Sequence, residues 1–186
     1  MTNYVSVKPD LRLPKNISGT AKYGDESYEL EVEALWNEAE RKYEIETLKV
    51  NRGTKPDGER AAPIDGAVLR GVRVAQAFEY LMHNAKNILL EDGTTYELPY
   101  EFKLSWDGDK HELVITPTVS VPIQKAEADK TRMLHAARIH AIASAYGVRA
   151  LRLVMEVLGL QQRAASRLIE KAREQGLLDD KAPGHE

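Results

Sequence analysis

The feature that most constrains this chain is a pair of segments in which side-chain character alternates every second residue. Tyr28, Leu30, Val32, Ala34 and Trp36 alternate with Glu29, Glu31, Glu33 and Leu35. Beyond the polar "NEAER", Tyr43, Ile45, Thr47 and Lys49 alternate against Glu44, Glu46, Leu48 and Val50. A strand points successive side chains to opposite faces, so this pattern predicts an antiparallel hairpin with one face covered and the glutamates on the wet face. Isolated outward glutamates on a strand read as solvent decoration, not as metal ligands.

The residues before this hairpin read as a proline-punctuated leader. "NRGTKPDGERAAP" (51–63) is a loop rich in Gly, Pro, Asp and charge. Helical spacing follows, with Val68, Leu69, Val72, Ala75, Phe78, Leu81 and Met82 on one stripe, Asp65 placed to cap its start and Gly71 able to split it. "LLEDGTTYEL" and "FKLSWDGDKHELVITP" each centre on Asp-Gly between alternating residues, a hairpin signal. Pro117 and Pro122 suit a linker or an edge. From Lys125 strand signals vanish. "AEADKTRMLHAARIHAIASAYG" places Leu134, Ala137, Ala141, Ile142 and Ala145 on one helical face, stopped by Gly147. The expected architecture is α+β: a body over residues 1–123 that dimerises or senses a partner, then an all-helical region over 124–186.

Composition narrows the function classes. With 42% hydrophobic and 30% charged residues in 186, the chain has the makeup of a folded globular protein. It has no cysteine, which excludes disulfides, thiolate nucleophiles and thiolate metal sites. Neither a signal-length apolar run nor a membrane-span run is present, so a cytoplasmic protein without a membrane partner is the expectation. The net charge of −3 is unevenly spread. Residues 1–126 hold 16 Lys+Arg against 21 Asp+Glu, whereas residues 127–181 hold 10 against 7. A basic end on an acidic body fits a partner of opposite charge at that end.

That end carries "VLGLQQRAASRLIEKAREQGLL", Val157 to Leu178. Gly159 stands where a helix would stop on a left-handed residue. Val154 and Leu158 precede it, Leu160 follows, and Ala165, Leu168 and Ile169 are spaced to face inward from the next helix. Gly176 ends that helix, so that Leu177 and Leu178 can fold back. Residues 148–178 resemble the helix-turn-helix of small bacterial, phage and mobile-element DNA-binding proteins. "ASRLIEKAREQGLL" is similar to the recognition helix of many of them. The chain departs from that pattern at Met155, where a small alanine is usual, and at Gln161, where a Ser or Thr cap is commoner.

The resemblance implies a sequence-selective double-stranded DNA-binding protein, a homodimeric transcriptional regulator reading the major groove with a helix over 161–175. Base reading then falls to Gln162, Arg163, Ser166 and Arg167. Arginine pairs bidentately with guanine and glutamine with adenine. Arg163, Arg167 and Lys171 recur every four residues as a basic stripe, with Lys171 nearer the backbone, and Arg149 and Arg152 on the bracing helix would hold phosphates. Arg132, His135, Arg138 and His140 would extend the positive surface. The plainer reading is that these charges solvate an amphipathic helix, with Glu170 and Glu174 neutralising them. The competing function is a non-enzymatic interaction or assembly module, docking its acidic hairpin and tail helices on another protein.

Signatures of enzyme chemistry are missing: the sequence has no phosphate-binding glycine loop, nucleophile elbow or metalloprotease motif. His135 and His140 are five apart, off the spacing of a helical zinc pair. Asp107, Asp109, His111 and Glu112 in "SWDGDKHE" lack the ligand ladder of a calcium loop and read as a hairpin turn. His83 has no ligand-spaced neighbours either. Trp36 and Trp106 read as core or sheet-face aromatics. No cofactor or metal is expected, and the chain is not read as an enzyme.

Overall fold

The computed structural model describes residues 3–23, 28–55, 57–72, 78, 81–82, 85, 88–107, 110–117 and 125–179. Within these, 21–23, 71, 101–107, 110–117 and 125–128 are described by backbone alone. The architecture is α+β. Strands β1 (Tyr4–Val7), β2 (Leu11–Pro14), β3 (Asn16–Tyr23), β4 (Tyr28–Asn37) and β5 (Lys42–Arg52) come first. Then follow α1 (Gly66–Gly71), β6 (Leu89–Leu90), β7 (Tyr100–Asp107), β8 (Lys110–Pro117), α2 (Lys125–Ala145), α3 (Ala150–Leu158) and α4 (Gln162–Glu174). The sheets are ordered β1-β2-β6, β3-β4-β5 and β7-β8.

The predicted β4–β5 hairpin is present, with Trp36 opposite Tyr43 and Asn37 opposite Lys42. Its turn is held by the Asn37 side chain, which accepts from the backbone N–H of Ala39 at 2.9 Å and of Glu40 at 3.1 Å. Burial on β4 alternates as the sequence requires, with Tyr28, Leu30, Val32 and Ala34 buried. On β5 the face assignment read from the sequence is corrected. The register shifts between Glu33 and Ala34: Glu33 faces Thr47 while Ala34 faces Ile45, which leaves Glu46 as the extra residue of a β-bulge. The bulge reverses the phase of alternation. Leu48 and Val50 therefore pair with Val32 and Leu30 and join Tyr43 and Ile45 on the covered face, not Glu44 on the wet one.

The expected leader is also corrected, because it forms three strands. β3 runs antiparallel to β4 from Asn16–Leu35 to Tyr23–Tyr28, and β2 pairs antiparallel with β6 through Leu11–Leu90. Gly19 lies opposite Val32, and the space a β-carbon would fill there is taken by the Leu81 side chain. Glycine is what allows Leu81 to lie on the sheet at that point.

The helix start at Asp65 forms as expected, its carboxylate accepting from the N–H of Ala67 at 2.8 Å and of Val68 at 3.0 Å. Leu69, placed on the apolar stripe by spacing, is instead 54% exposed, and α1 closes two residues later at Gly71. The predicted positions Ala75 and His83 lie outside the described residues. In the first Asp-Gly segment, Asp92 accepts from the Thr94 N–H and Oγ at 2.9 and 2.7 Å, and Leu90 N–H donates to the Thr94 carbonyl. In the second, β7 and β8 pair from Tyr100–Pro117 to Asp107–Lys110. Asp109 lies outside the described residues, and Asp107, His111, Glu112 and Trp106 are described by backbone alone.

The chain groups into two compact units, neither of them continuous in sequence. One contains Met1–Tyr4, Pro14–Ala85 and Ala145–Val148. Its core joins Leu30, Val32 and Ala34 to Tyr43, which donates to the Pro14 carbonyl at 2.7 Å and packs its ring on Tyr146 at 4.8 Å. Burial, the larger cause, and the neighbouring Tyr146 ring push the Tyr43 hydroxyl far above its ordinary range. Trp36 meets Tyr43 edge-on at 5.4 Å, so it is a sheet-face aromatic as read. The other unit contains Val5–Leu13, Lys86–Ser144 and Arg149–Glu186. Most of β1 and β2 and all of β6–β8 fall in this unit together with α3, α4 and nearly all of α2.

Helix α2 is more deeply set than a one-sided stripe implies. Met133, Ala136, Ala137, Ile139, Ala141, Ile142 and Ala143 are all buried. These positions run right round the helix, the mark of an element enclosed by neighbours. Leu134, expected inside, is only half-buried.

Candidate nucleic-acid interface

Gly159 ends α3 in the left-handed conformation, with φ 60° and ψ 40°. The N–H groups of Gly159 and Leu160 both donate to the Met155 carbonyl, the latter at 2.9 Å. These bonds satisfy carbonyl capacity that a helix end leaves open and send the chain sharply into α4. Leu153, Val154 and Val157 are buried from α3, and Ala165, Ile169 and Ala172 from α4. Leu168 is half-buried. Gly176 and Leu177 donate to the carbonyls of Arg173 and Ala172, closing α4, and Leu178 folds back into the core as expected. Met155 is half-buried, and the Gln161 side chain makes no cap, leaving the start of α4 held by its backbone carbonyl alone.

Burial of 165, 169 and 172 turns the opposite edge of α4 to solvent. Gln162, Arg163, Arg167 and Lys171 are exposed, and Ser166 is half-buried. Among the described residues, the side chains of Arg163, Arg167 and Lys171 have no hydrogen-bond or ion-pair partner. Glu170 and Glu174, the neutralising residues of the plainer reading, make no ion pair with them among the described residues. On α3, Arg149 is exposed, while Arg152 donates to Glu156 at 2.7 Å, one turn on.

The four residues expected to extend this surface from α2 do not do so, because packing and pairing consume them. Arg138 donates from Nε to Asp10 Oδ1 at 2.9 Å and from a terminal nitrogen to Oδ2, a bidentate pair. The pair is mostly enclosed, and the guanidinium also lies 5.2 Å from the Tyr96 ring centre. Hydrogen bonding to Asp10 raises the Arg138 pKa, and burial pushes the Tyr96 hydroxyl up to about 12. Arg132 donates to the Leu158 carbonyl at 3.3 Å. Burial first, then Arg138, lowers His135, whose Nδ1 is enclosed without a hydrogen-bond partner among the described residues. Burial first, then Arg173, pushes His140 down to about 4. Both imidazoles are neutral at neutral pH. These roles depend on contacts far along the chain, and no local signal in the sequence announces them.

Among the described residues, no cluster of three or more His, Asp or Glu could hold a metal ion. No helix among them is long and apolar enough to cross a membrane. No family model matches the chain, and no curated protein or solved structure does either.

Proposed function

We propose that this chain is a sequence-selective double-stranded DNA-binding protein, a transcriptional regulator that lays α4 in the major groove as the second helix of a helix-turn-helix. The observation that carries the reading is the exposed stripe Arg163–Arg167–Lys171, without hydrogen-bond or ion-pair partners among the described residues, on the helix that follows the left-handed Gly159 bend. A helix of this kind reads bases with its first turns, which assigns Gln162, Arg163, Ser166 and Arg167 to base edges. Lys171, Arg149 and Arg152 take phosphates, Arg152 by exchanging Glu156 for the backbone of the duplex. One helix reads only a few base pairs, so a homodimer on two half-sites completes the recognition.

Selection of bound fragments from random duplex DNA, followed by anisotropy titrations of the selected site, tests this. Arg163→Ala and Arg167→Ala are expected to lose discrimination of roughly 1–3 kcal/mol each at one base pair. Arg152→Ala should weaken all sequences alike. Absence of binding to every duplex pool at low salt overturns the reading. The competing reading, a protein-docking module, draws on Glu33, Glu44 and Glu46, all exposed on the wet face of the β4–β5 hairpin. Capture of a basic partner that Glu33→Lys and Glu44→Lys abolish would favour it.

A further inference from the structure

Alanine stands at 164 and again at 165, and α4 places the two in opposite surroundings. Ala165 is fully buried on the inner side of the helix with Ile169 and Ala172. Ala164, one position earlier, is exposed in the first turn. Successive residues of an α-helix point about 100° apart, which is enough to separate them.

The same rotation fixes what lies beside Ala164. Measured round the helix from Arg167, Lys171 lies about 40° and Ala164 about 60° to one side. Glu174, Arg163 and Glu170 lie about 20°, 40° and 60° to the other. All six are exposed, in the order Ala164, Lys171, Arg167, Glu174, Arg163, Glu170. Both carboxylates therefore fall past Arg167, on the flank away from Ala164. Among the described residues, Arg167 and Lys171 have no hydrogen-bond or ion-pair partner. Phosphates attract the Ala164–Lys171–Arg167 flank and repel the flank that carries Glu170, so a duplex that receives α4 meets it with Ala164 turned inward.

Alanine in that place has a chemistry of its own. Its side chain ends at the β-carbon, offers no donor or acceptor, and lets the helix backbone come close to a base edge. The apolar group that a base edge presents in the major groove is the 5-methyl of thymine, and alanine is among the side chains that pack on it.

We propose that Ala164 is a specificity-determining residue, its methyl group packed on the 5-methyl of a thymine within one base pair of the guanine that Arg167 reads. This rests on the DNA-binding reading and adds a base to it. Helix rise supplies the register. Three residues span about 4.5 Å along α4, against ~3.4 Å between successive base pairs, so Ala164 and Arg167 reach neighbouring pairs. Alanine is also the best helix former, and a residue kept for that alone would be indifferent to a methyl group on the DNA.

The probe is the duplex selected from random DNA, remade with deoxyuridine in place of one thymidine at a time. That exchange removes the 5-methyl and leaves every hydrogen-bonding group of the base in place. One position is expected to lose affinity about fourfold, the effect of uncovering a single methyl group. It should lie within one base pair of the guanine whose replacement Arg167→Ala no longer senses. In Ala164→Gly the penalty at that position should disappear. Because the ratio compares two duplexes on one protein, any helix stability lost to glycine cancels. A selected site with no thymine within one base pair of that guanine overturns the proposal. So does a scan in which no deoxyuridine lowers affinity, or a penalty that persists in Ala164→Gly. In each of these cases the DNA-binding reading stands as long as Arg163→Ala and Arg167→Ala lose discrimination. Absence of binding to every duplex removes both.

Discussion

At position 159 the backbone adopts φ 60°, which a β-carbon disfavours by roughly 1–2 kcal/mol, and no atom lies within 4 Å of where that β-carbon would sit. The cost of Gly159→Ala is therefore conformational, not steric. A loss of about 1 kcal/mol in denaturant unfolding is expected, with the α3–α4 packing retained. His140 governs a second residue-scale property. Its folded pKa of about 4 lies below the unfolded value of 6.5. Above pH 6.5 both states are neutral and the full stability is present. As pH falls from 6.5 toward 4 the unfolded chain takes up the proton first, so stability is lost across that window, by about 3 kcal/mol. Lowered His135 acts in the same direction. Urea unfolding at pH 7.5 and 4.5 should show this loss, and His140→Gln should remove most of it.

Among the elements, β5 shows where sequence reading ends. Counted from Tyr43, alternation puts Leu48 beside Glu44 and Glu46, while the bulge at Glu46 puts it opposite Val32 on the covered face. Leu48→Asp is therefore expected to cost about 2 kcal/mol or more, against near-neutrality for Glu46→Lys. Thermal melts of the two variants distinguish the two registers directly. The β4–β5 hairpin was legible because the residues from Tyr28 to Ala34 repeat one rule, and the Gly159 bend because glycine and flanking apolar residues carry a local signal. The bulge was not legible, since an extra residue is a property of pairing, visible only against Glu33 and Ala34. Strands β1 and β2 are four residues each, too short to establish a period. For α4, the inward positions Ala165 and Ile169 and the exposed stripe could both be read. The fate of Arg138 could not, because its partner Asp10 lies in the turn between β1 and β2, 128 residues away.

At the scale of the molecule, charge is the property that a functional assay would sense. The chain is acidic in sum, yet residues 127–181 carry an excess of cations. Under the DNA-binding reading, affinity should fall with salt at a slope of about −0.9 in log K against log salt for each phosphate neutralised. Lys171→Ala should reduce that slope by about 1, and a slope near zero would count against duplex binding. The interleaving of the two units has a further bearing, on how the molecule can be made. Asp10 and Arg138, 128 residues apart, must find each other across a stretch that belongs largely to the other unit. A fragment stopping at residue 123 would therefore carry Asp10 without the guanidinium that its carboxylate binds in the whole chain.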